Sequence, residues 1–599
     1  MAGKRLKVFN ELLSSISFPH HDRLTHLMAT GFPVGGPYPT TGIFPHANRQ
    51  ATTSIEDLWR DSRSIQKAFM LHTDTSDPEL SKEVFDLTLA EVQKGWLTGP
   101  FTTEDLDRRL GKWIPNRRFG VRQGPKVRCI DDFSASGVNQ TLSANETVDP
   151  DGLDRIAVNA RAHMDALLTS LSSRPSSSPF LHHDLHPDHA ECRLVSRLWD
   201  LEAAYRQLPR APSHSSLTVI AVFDPATGTH KFFEQAPLAF GASSSVLSFN
   251  WVAEAIKQIL ISIFHVAATN FYDDFSVLEV ETLARSARDT VEAVLALLGW
   301  RLKELKDFDV ESTPLGAILD LSESVNGKIT IRNKPERVQE LLTALDETMA
   351  ASSLHRSVLP KLRGRLLFAR SLAFGRCGGD ALRAIGLAIQ DSGSTTSMSP
   401  LLLNALRNLK EHLLNAKPRE IRAVHRLPPL VFTDGAFEPS PSGRPRGSFG
   451  GILLDRTSGS YLFFRGVVSD FHLDHLLGLT AKTAIFELEV LPVLFAKILW
   501  ANLLDGSSGI FFVDNDAAKA ALINSYSSNL TVSKLLSTIS GLDTSTGTLS
   551  WYERVPTHSN PADTPSRGDV PTPLSSWSPP TETFLSGVDT TILDKLITG

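Results

Sequence analysis

Three aspartates in the first half of the chain have the types and spacing of a divalent-metal site. Asp273 and Asp274 are adjacent in the segment NFYDDF, and Asp200 lies upstream, where an apolar strand-like run changes into a helix-like run. An isolated acidic pair is more often a solvated turn, so the doublet indicates a metal site only together with Asp200. Such carboxylates can hold two Mg²⁺ ions about 3.5–4 Å apart, which stabilise both oxygens of a phosphoryl displacement. The three residues therefore predict a two-metal site.

A second set of acids lies in the last third of the chain. Asp434 is in VFTDGAF, Asp514 is in FFVDND and Asp563 is in HSNPADTPSR. Between them, one helical segment carries both Glu487 and Glu489. Side chains two positions apart on a helix point about 200° apart around its axis, so only one of these glutamates can face the aspartates. The set is a second acidic constellation, and carboxylates of this kind can hold divalent cations.

The elements around the first site alternate between strands and helices. LTVIAVFD and THKFFEQ predict a hairpin with Gly228 in its turn, and residues 244–264 predict a long buried helix. NFYDDFSVLEV predicts two short strands with the acidic pair at the turn. Residues 282–300 predict an amphipathic helix that ends at Gly299.

The second set of acids lies in a separate predicted domain that begins after a break near residues 420–428. Three strands, a helix, a strand, a helix and a strand are typical of a compact mixed α/β domain. Pro492 falls within the helix that carries the glutamates, and a proline there costs about 3 kcal/mol and predicts a kink.

Charge and cysteine content limit the classes of protein. The formal net charge of −6 argues mildly against nucleic-acid binding, which usually needs a basic surface. Three distant cysteines form no disulfide framework, and we expect no secretory signal and no membrane span, which favours an intracellular location, cytoplasmic or nuclear. The segment 355–383 is locally basic and predicts an amphipathic helix that either binds phosphates or is simply solvated. Its charged residues are Arg356, Lys361, Arg363, Arg365, Arg370, Arg376 and Arg383, against Asp380.

Six segments together resemble the successive motifs of reverse transcriptases, in that family's order and approximate spacing. The resemblance covers residues 120–325, and the later segment LPKLRGRLLFARSLAFGRCGG resembles the region after the palm in long-terminal-repeat and DIRS-like retroelements. It implies a right-hand polymerase with fingers, palm and thumb. The six segments are KVRCIDDFSASGVN, RLWDLEAAYRQLP, APLAFGASSSVLSFN, NFYDDF, LLGWRLKELKD and TPLGAILDL.

The reverse-transcriptase resemblance also implies roles for single residues. Asp200 and Asp273 are the main metal ligands, with Asp274 as the second member of the doublet. Tyr205 takes the place of an aromatic gate that would clash with a ribose 2′-hydroxyl. The remaining assignments are substrate contacts: Lys126 and Arg128 for the triphosphate, Phe240 and Gly241 for the nucleotide and template, and Lys306 as proton donor to the pyrophosphate. One departure is Phe271 at a position where many relatives carry tyrosine.

The C-terminal acids resemble those of the ribonuclease H family. That resemblance implies Asp434, a glutamate, Asp514 and Asp563 as ligands of two Mg²⁺ ions. The family pattern of Glu, Leu, any residue and a small residue favours Glu487 over Glu489, although Val490 occupies the small position. His558 resembles a histidine that some members use near product release.

The expected architecture is a multidomain protein of the α+β and α/β classes. We expect an N-terminal extension (1–110), fingers and palm (111–330), thumb or connection (331–425), a ribonuclease H-like domain (426–570) and a weakly ordered tail (571–599). The cluster His182, His183, His186, His189 and Cys192 could bind zinc, but its irregular spacing favours a polar loop.

The expected function is RNA-directed DNA synthesis coupled to cleavage of RNA in hybrids, in a retroelement. Its partners would be an RNA template, a DNA primer, RNA–DNA hybrid and deoxynucleoside triphosphates, with two Mg²⁺ ions per site, or Mn²⁺ in their place. Two alternatives stay open at this point: a catalytically decayed scaffold that binds nucleic acid, and a polymerase that prefers DNA templates.

Overall fold

The chain forms two compact units, Met1–Leu315 and Gly316–Gly599, in a computed structural model. The structure describes residues 3–70, 77–124, 126–172, 193–303, 307–373, 378–390, 395–423, 427–438, 443–477, 483–587 and 590–594. Within these ranges, no helix is both long and apolar enough to cross a membrane. Both units mix helices and sheets, as the expected fold class requires.

In its described part, unit 1 contains three sheets formed wholly from its own strands, and the helices that cover them. Its helices are α1 (Leu6–Ser15), α2 (His21–Thr30), α3 (Ile55–Met70), α4 (Pro78–Gln93), α5 (Thr103–Leu110), α6 (Leu153–Ser172), α7 (Ser243–Ser262) and α8 (Glu281–Leu298). Its strands are β1 (His46–Arg49), β2 (Leu97–Phe101), β3 (Pro115–Gln123), β4 (Lys126–Asp132), β5 (Ala144–Glu146), β6 (Leu194–Asp200), β7 (Val219–Asp224), β8 (Thr229–Gln235), β9 (Ala268–Phe271), β10 (Asp274–Val280) and β11 (Glu311–Ser312).

A three-stranded antiparallel sheet, in the order β6-β10-β9, carries the first set of acids. Helix α7 is buried along almost its whole length, as the apolar sequence of this helix predicts. Helix α8 ends at Gly299, which adopts the left-handed conformation common after a helix C-terminus. Helices α1 and α2 bury Phe9 and Leu24 in the same core as Trp251 of α7.

A five-stranded sheet, in the order β2-β8-β7-β3-β4, forms the other large part of unit 1. The predicted hairpin is its β7-β8 pair, with Gly228 in the turn. Helix α4 buries Val84 in one core with Ile220 and Phe233 of these strands. The N-terminal extension therefore shares both large hydrophobic cores of unit 1 with the segments that carry the polymerase-like motifs.

The described part of unit 2 begins with a region that includes helices α9 to α12. A domain built on a six-stranded sheet follows. Its helices are α9 (Pro335–Ala350), α10 (Val358–Ala373), α11 (Gly379–Gln390), α12 (Pro400–Asn415), α13 (Asp470–Leu477), α14 (Ile485–Leu499), α15 (Ala501–Leu504), α16 (Asp516–Asn524), α17 (Leu530–Thr546) and α18 (Asp563–Ser566). Its strands are β12 (Ala317–Asp320), β13 (Lys328–Asn333), β14 (Ser353–His355), β15 (Thr395–Ser397), β16 (Arg419–Arg422), β17 (Leu430–Glu438), β18 (Arg446–Asp455), β19 (Ser460–Val468), β20 (Ser508–Val513), β21 (Leu549–Arg554) and β22 (Thr581–Glu582).

Helices α9 to α12 pack around one apolar core, and α10 and α11 carry most of the basic segment. Two of its cations already have partners within unit 2. Arg365 forms an ion pair with Glu340, and Arg383 lies 3.9 Å from the ring centroid of Tyr526. The ion pair of Arg365 is solvent-exposed and therefore weak, so the choice between a phosphate-binding and a solvated face stays a prediction.

A six-stranded sheet, in the order β21-β20-β17-β18-β19-β22, forms the core of the last part of the chain. Helices α14 and α17 cover it with largely apolar faces. Strand β22 lies within the tail that we expected to be weakly ordered, and Trp577 and Leu593 pack against the apolar clusters of this domain. The described part of the tail therefore packs against the sheet edge, and the weak order that we expected of the whole tail stays a prediction.

Helix α14 continues through Pro492, and strand β17 passes unusually close to it. Because proline has no N–H, the Leu488 carbonyl one turn earlier loses its helical partner. A Cβ atom placed on Gly435 of β17 would lie 2.3 Å from that carbonyl oxygen. Only glycine permits this approach, which fixes the separation of strand and helix just where the second set of acids lies.

We expect Gly435→Ala to destabilise the protein by about 1–3 kcal/mol, because the added methyl group must push the strand away from α14. The free energy of unfolding from urea titration measures this. Gly541→Ala is the control: Gly541 lies in α17 with open space around its Cα, so alanine should stabilise the helix by about 0.5–1 kcal/mol. Equal stability of Gly435→Ala and the wild type would show that the close approach is not required.

Candidate active sites

The first carboxylate site lies at one end of the β6-β10-β9 sheet. Strands β6 and β10 are antiparallel, and their register pairs Asp200 directly with Asp274. Asp273 lies in the short turn between β9 and β10, after Tyr272, which adopts a left-handed backbone conformation with φ 54°. The sequence prediction of two short strands with the doublet at their turn is confirmed. Asp273 is thus next to the paired Asp200 and Asp274, although one oxygen from each of these three acids does not come within 4.8 Å of the others.

The three acids of this site repel one another; Asp200 and Asp273 are half-buried, and Asp274 is exposed. Burial, and then the charge of Asp200, raise the pKa of Asp273. Burial, and then the charges of Asp273 and Asp200, raise the pKa of Asp274. Such a set of oxygen donors with unbalanced negative charge suits a hard divalent cation.

Lys303 is a member of this site that the sequence analysis missed. Its Nζ donates to Asp200 Oδ2 at 2.6 Å, and its backbone N–H donates to the Asp200 carbonyl oxygen at 3.0 Å. Its charge, together with that of Arg128, opposes the rise in the pKa of Asp273. The only sequence signal was its place in the LLGWRLKELKD segment, where we assigned Lys306 instead; Lys306 lies outside the described residues.

Two aromatic rings form one wall beside the acids. Tyr205, in a short 3-10 helix after β6, stacks on Phe249 with a centroid separation of 4.9 Å. Phe240 meets Tyr205 edge to face at 5.9 Å and is 44% exposed. The charge of Asp273 is one cause of the raised pKa of Tyr205, after burial, so the phenol lies within electrostatic range of the site.

Gly241 allows this aromatic wall to meet strand β4. Its φ of 111° is one that residues with a side chain rarely adopt, and a Cβ there would lie 2.1 Å from the Asp131 carbonyl oxygen. Lys126 and Arg128 lie two positions apart on the same strand and are both exposed. The residues predicted to contact a nucleotide are thus on elements that touch one another, and Arg128 also lies within electrostatic range of Asp273.

The second carboxylate site brings together Asp434, Glu489 and Asp514. One ligand oxygen from each lies within 4.8 Å of the others, and among the described residues these are the only three His, Cys, Asp or Glu side chains grouped so tightly. Strands β17 and β20 are parallel and pair Phe432 with Phe512, so the same register continued by two positions aligns Asp434 with Asp514. Helix α14 supplies the third carboxylate.

The structure places Glu489, not the favoured Glu487, in this group. The side chain of Glu487 points instead toward α17, where Asn529 Nδ2 donates to its Oε1 at 2.6 Å. The two glutamates lie on different sides of α14, as helical geometry requires. The family spacing led to the wrong glutamate because it does not say which face of α14 lies against the sheet. In the structure, strand β17 approaches α14 closely at Gly435.

Burial dominates the electrostatics of the second site. It raises the pKa of Glu489 to about 9, with further contributions from the charges of Asp514 and Asp434. Burial raises the pKa of Asp434 to about 6, with Asp514 and Asp563 adding to the effect. The buried Glu489 Oε2 has no hydrogen-bond partner within the described part of the chain. Three convergent carboxylates with an unpartnered buried oxygen fit a hard cation such as Mg²⁺.

Asp563 and His558 lie outside this tight group. Asp563 forms an ion pair with Arg567 at 2.9 Å and affects Asp434 through its charge. His558 is exposed in a short 3-10 helix, Thr557–Ser559. Two residues of the same segment that we did not predict do reach the site: Ser566 Oγ donates to Asp434 Oδ2 at 2.5 Å, and Asn560 Nδ2 donates to Asp434 Oδ1 at 3.4 Å.

The candidate zinc cluster at residues 182–192 lies outside the described residues. The choice between a zinc site and a polar loop therefore stays a prediction.

Comparison with known proteins gives a structural likeness only. No protein-family model and no curated protein matches this sequence. Three similar solved structures are of a foamy viral protease-reverse transcriptase. The complex with double-stranded DNA is 13% identical, has a TM-score of 0.41 and covers 93% of this chain and 98% of that one. A dRH form with double-stranded DNA is 13% identical, with a TM-score of 0.40 and coverage of 93% and 83%. The complex with RNA/DNA hybrid is 10% identical, with a TM-score of 0.38 and coverage of 94% and 85%.

Proposed function

We propose that the chain is an RNA-directed DNA polymerase with a ribonuclease H domain, serving the replication of a retroelement. The observation that carries the proposal is the register of β6 and β10, which pairs Asp200 with Asp274 beside the Asp273 turn. A structural sheet end has no need of three carboxylates whose burial raises the pKa of two of them. Bound Mg²⁺, or Mn²⁺, would neutralise them and stabilise the oxygens of an in-line displacement.

The residues around the first site have complementary tasks in this proposal. Asp200, Asp273 and Asp274 would hold the cations, and Lys126 and Arg128 would bind the triphosphate of a deoxynucleotide. Tyr205, held by its stacking on Phe249, would exclude a ribose 2′-hydroxyl. RNA template and DNA primer would approach this exposed end of the sheet.

The second site would hydrolyse the RNA strand of an RNA–DNA hybrid. Asp434, Glu489 and Asp514 would hold the cations, and Ser566 and Asn560 would orient Asp434 by their hydrogen bonds. The family pattern assigns Asp563 and His558 to the same site. To take part, they would have to move closer to the three acids or to influence them through their charge.

A catalytically decayed scaffold is less well supported than an enzyme. Keeping buried like charges together is costly, and a scaffold gains nothing from that cost. Preference for an RNA or a DNA template depends on contacts to the template strand, so an activity assay needs both templates.

Asp273→Asn should abolish primer extension, a loss of at least ~1,000-fold in rate, because the amide cannot supply the charge that the cations require. The assay is extension of a DNA primer on RNA and DNA templates with Mg²⁺. Asp289→Asn, on the exposed face of α8, is the matched control and should retain full activity. Extension by Asp273→Asn at the wild-type rate would overturn the proposed polymerase activity, and extension only on DNA would overturn its RNA-directed part.

Glu489→Gln should lose cleavage of RNA in a hybrid while primer extension is kept, because its carboxylate lies in the second group of acids. Glu487→Gln is the matched control, on the same helix and equally buried, and should keep cleavage. A fluorescently labelled hybrid resolved by electrophoresis measures both variants. The opposite result, with only Glu487→Gln inactive, would restore the assignment that the sequence pattern favoured.

The metal-free protein should become less stable as pH rises from 6 to 9. The folded-state pKa of Glu489 is about 9, above its value of about 4.3 in an unfolded chain, so the folded state binds the extra proton in this window. The associated stability is fully present below the unfolded pKa and is lost as pH rises through the folded pKa. Calorimetry in EDTA should show a fall in the Tm of unit 2 of roughly 5 °C.

Two controls interpret this pH dependence. Glu489→Gln should flatten it, because glutamine does not titrate. Mg²⁺ should raise the Tm more at pH 9 than at pH 6, since a cation needs the deprotonated carboxylate. An unchanged slope in Glu489→Gln would show that the pH dependence does not come from Glu489.

A further inference from the structure

Four charged residues connect four different elements of unit 1; Arg118 and Asp131 are buried, and Glu91 and Arg206 are largely buried. Glu91 of α4 accepts from Arg206 Nη2, at 3.0 Å to Oε2 and 3.2 Å to Oε1. The same carboxylate accepts from Arg118 Nη1 of β3 at 2.9 Å. Arg118 makes a two-pronged contact with Asp131 of β4, at 2.6 and 3.0 Å. Glu91 therefore bridges Arg118 and Arg206, whose only other acidic partner within the described part of the chain is Asp131.

Each end of this network adjoins a residue of the candidate nucleotide site. Arg206 directly follows Tyr205, in the 3-10 helix that carries the aromatic ring. Asp131 lies on the strand of Lys126 and Arg128, and its carbonyl oxygen fills the space that a side chain on Gly241 would need. A shift of Glu91 would therefore move both the aromatic wall at Tyr205 and the strand that carries Lys126 and Arg128.

The charges of the network balance only while Glu91 is present. The side chains of Arg118 and Asp131 are each 1% exposed and that of Arg206 is 9% exposed. Arg206 Nη1 is buried without a hydrogen-bond partner among the described residues, and Asp131 is 4.0 Å from Nη2. Without the Glu91 charge, two buried guanidinium groups would share one carboxylate, so Arg206 would move toward water and carry its neighbour with it.

We propose that Glu91, on a helix of the N-terminal extension, is a positioning residue that fixes Tyr205 relative to the strand bearing Lys126 and Arg128. The inference rests on the proposed polymerase function and gives the N-terminal extension a task in it. Glu91 need not touch the nucleotide. It sets the distance between the Tyr205 ring, which would contact the sugar, and the side chains of Lys126 and Arg128, which would bind the phosphates. A shift of about 1 Å in such a site has large kinetic effects.

The test compares Glu91→Gln with the wild type in single-nucleotide incorporation. We expect the KM for a deoxynucleotide to rise about 10-fold and the preference for deoxynucleotides over ribonucleotides to fall about 10-fold, with kcat changed less than about threefold. Glu254→Gln is the matched control: Glu254 is also a helical glutamate, 19% exposed like Glu91, and its ion pair with Lys257 lies outside the network. It should leave KM and sugar preference unchanged.

A second variant keeps the test decisive if Glu91→Gln folds poorly. Glu91→Asp keeps the charge but withdraws the carboxylate by one methylene group, so the fold is retained and we expect about a threefold change in the same two quantities. Circular dichroism and the Tm report folding for every variant. The inference is overturned if the folded Glu91 variants keep the wild-type KM and sugar preference, or if Glu254→Gln changes them equally. A wild-type chain that incorporates no nucleotide would overturn the proposed function, and the inference with it.

Discussion

Repulsion between carboxylates held side by side is the constraint on which both units depend. In unit 1 it arises at a strand end, where register pairs Asp200 with Asp274 beside Asp273. In unit 2 it arises where two parallel strands and a helix bring the second group of acids together. Such groupings lower stability unless a cation occupies them, so the surrounding scaffold has to be rigid enough to hold the acids in place. The large apolar cores around α7 and α14 supply that rigidity.

Backbone proximity does as much as side-chain chemistry to define these sites. Gly435 lets β17 lie against the Leu488 carbonyl that Pro492 leaves without its helical partner, and Glu489, the next residue of α14, is grouped with the aspartates. Gly241 lets the aromatic wall lie against strand β4 in the same way. In both cases a methyl group would collide with a backbone carbonyl oxygen of the neighbouring element, so the glycines have a geometric role that no charge can replace.

Local patterns in the sequence predicted the elements that these sites need. The β7-β8 hairpin, the buried helix α7, the doublet at a turn and the end of α8 at Gly299 all follow from periodicity and turn residues. Non-local facts did not follow from them. The facing of Glu489 depends on the approach of strand β17, the contact of Lys303 depends on the end of strand β6, and the packing of the tail depends on an open sheet edge. All three partners are distant in the sequence, and spacing within one segment does not encode such approaches.

The N-terminal extension shows how far a site can depend on segments without motifs. Nothing in the sequence of α4 signals chemistry, yet Glu91 closes a charge network between the strand of Arg128 and the helix of Tyr205. The network is neutral overall, with two arginines and two acids, so it holds its geometry without attracting a cation of its own. The neighbouring carboxylate site has the opposite property, an excess of negative charge that Lys303 and Arg128 only partly offset. In the proposed polymerase, the neutral network would keep its geometry while the neighbouring carboxylate site binds and releases cations.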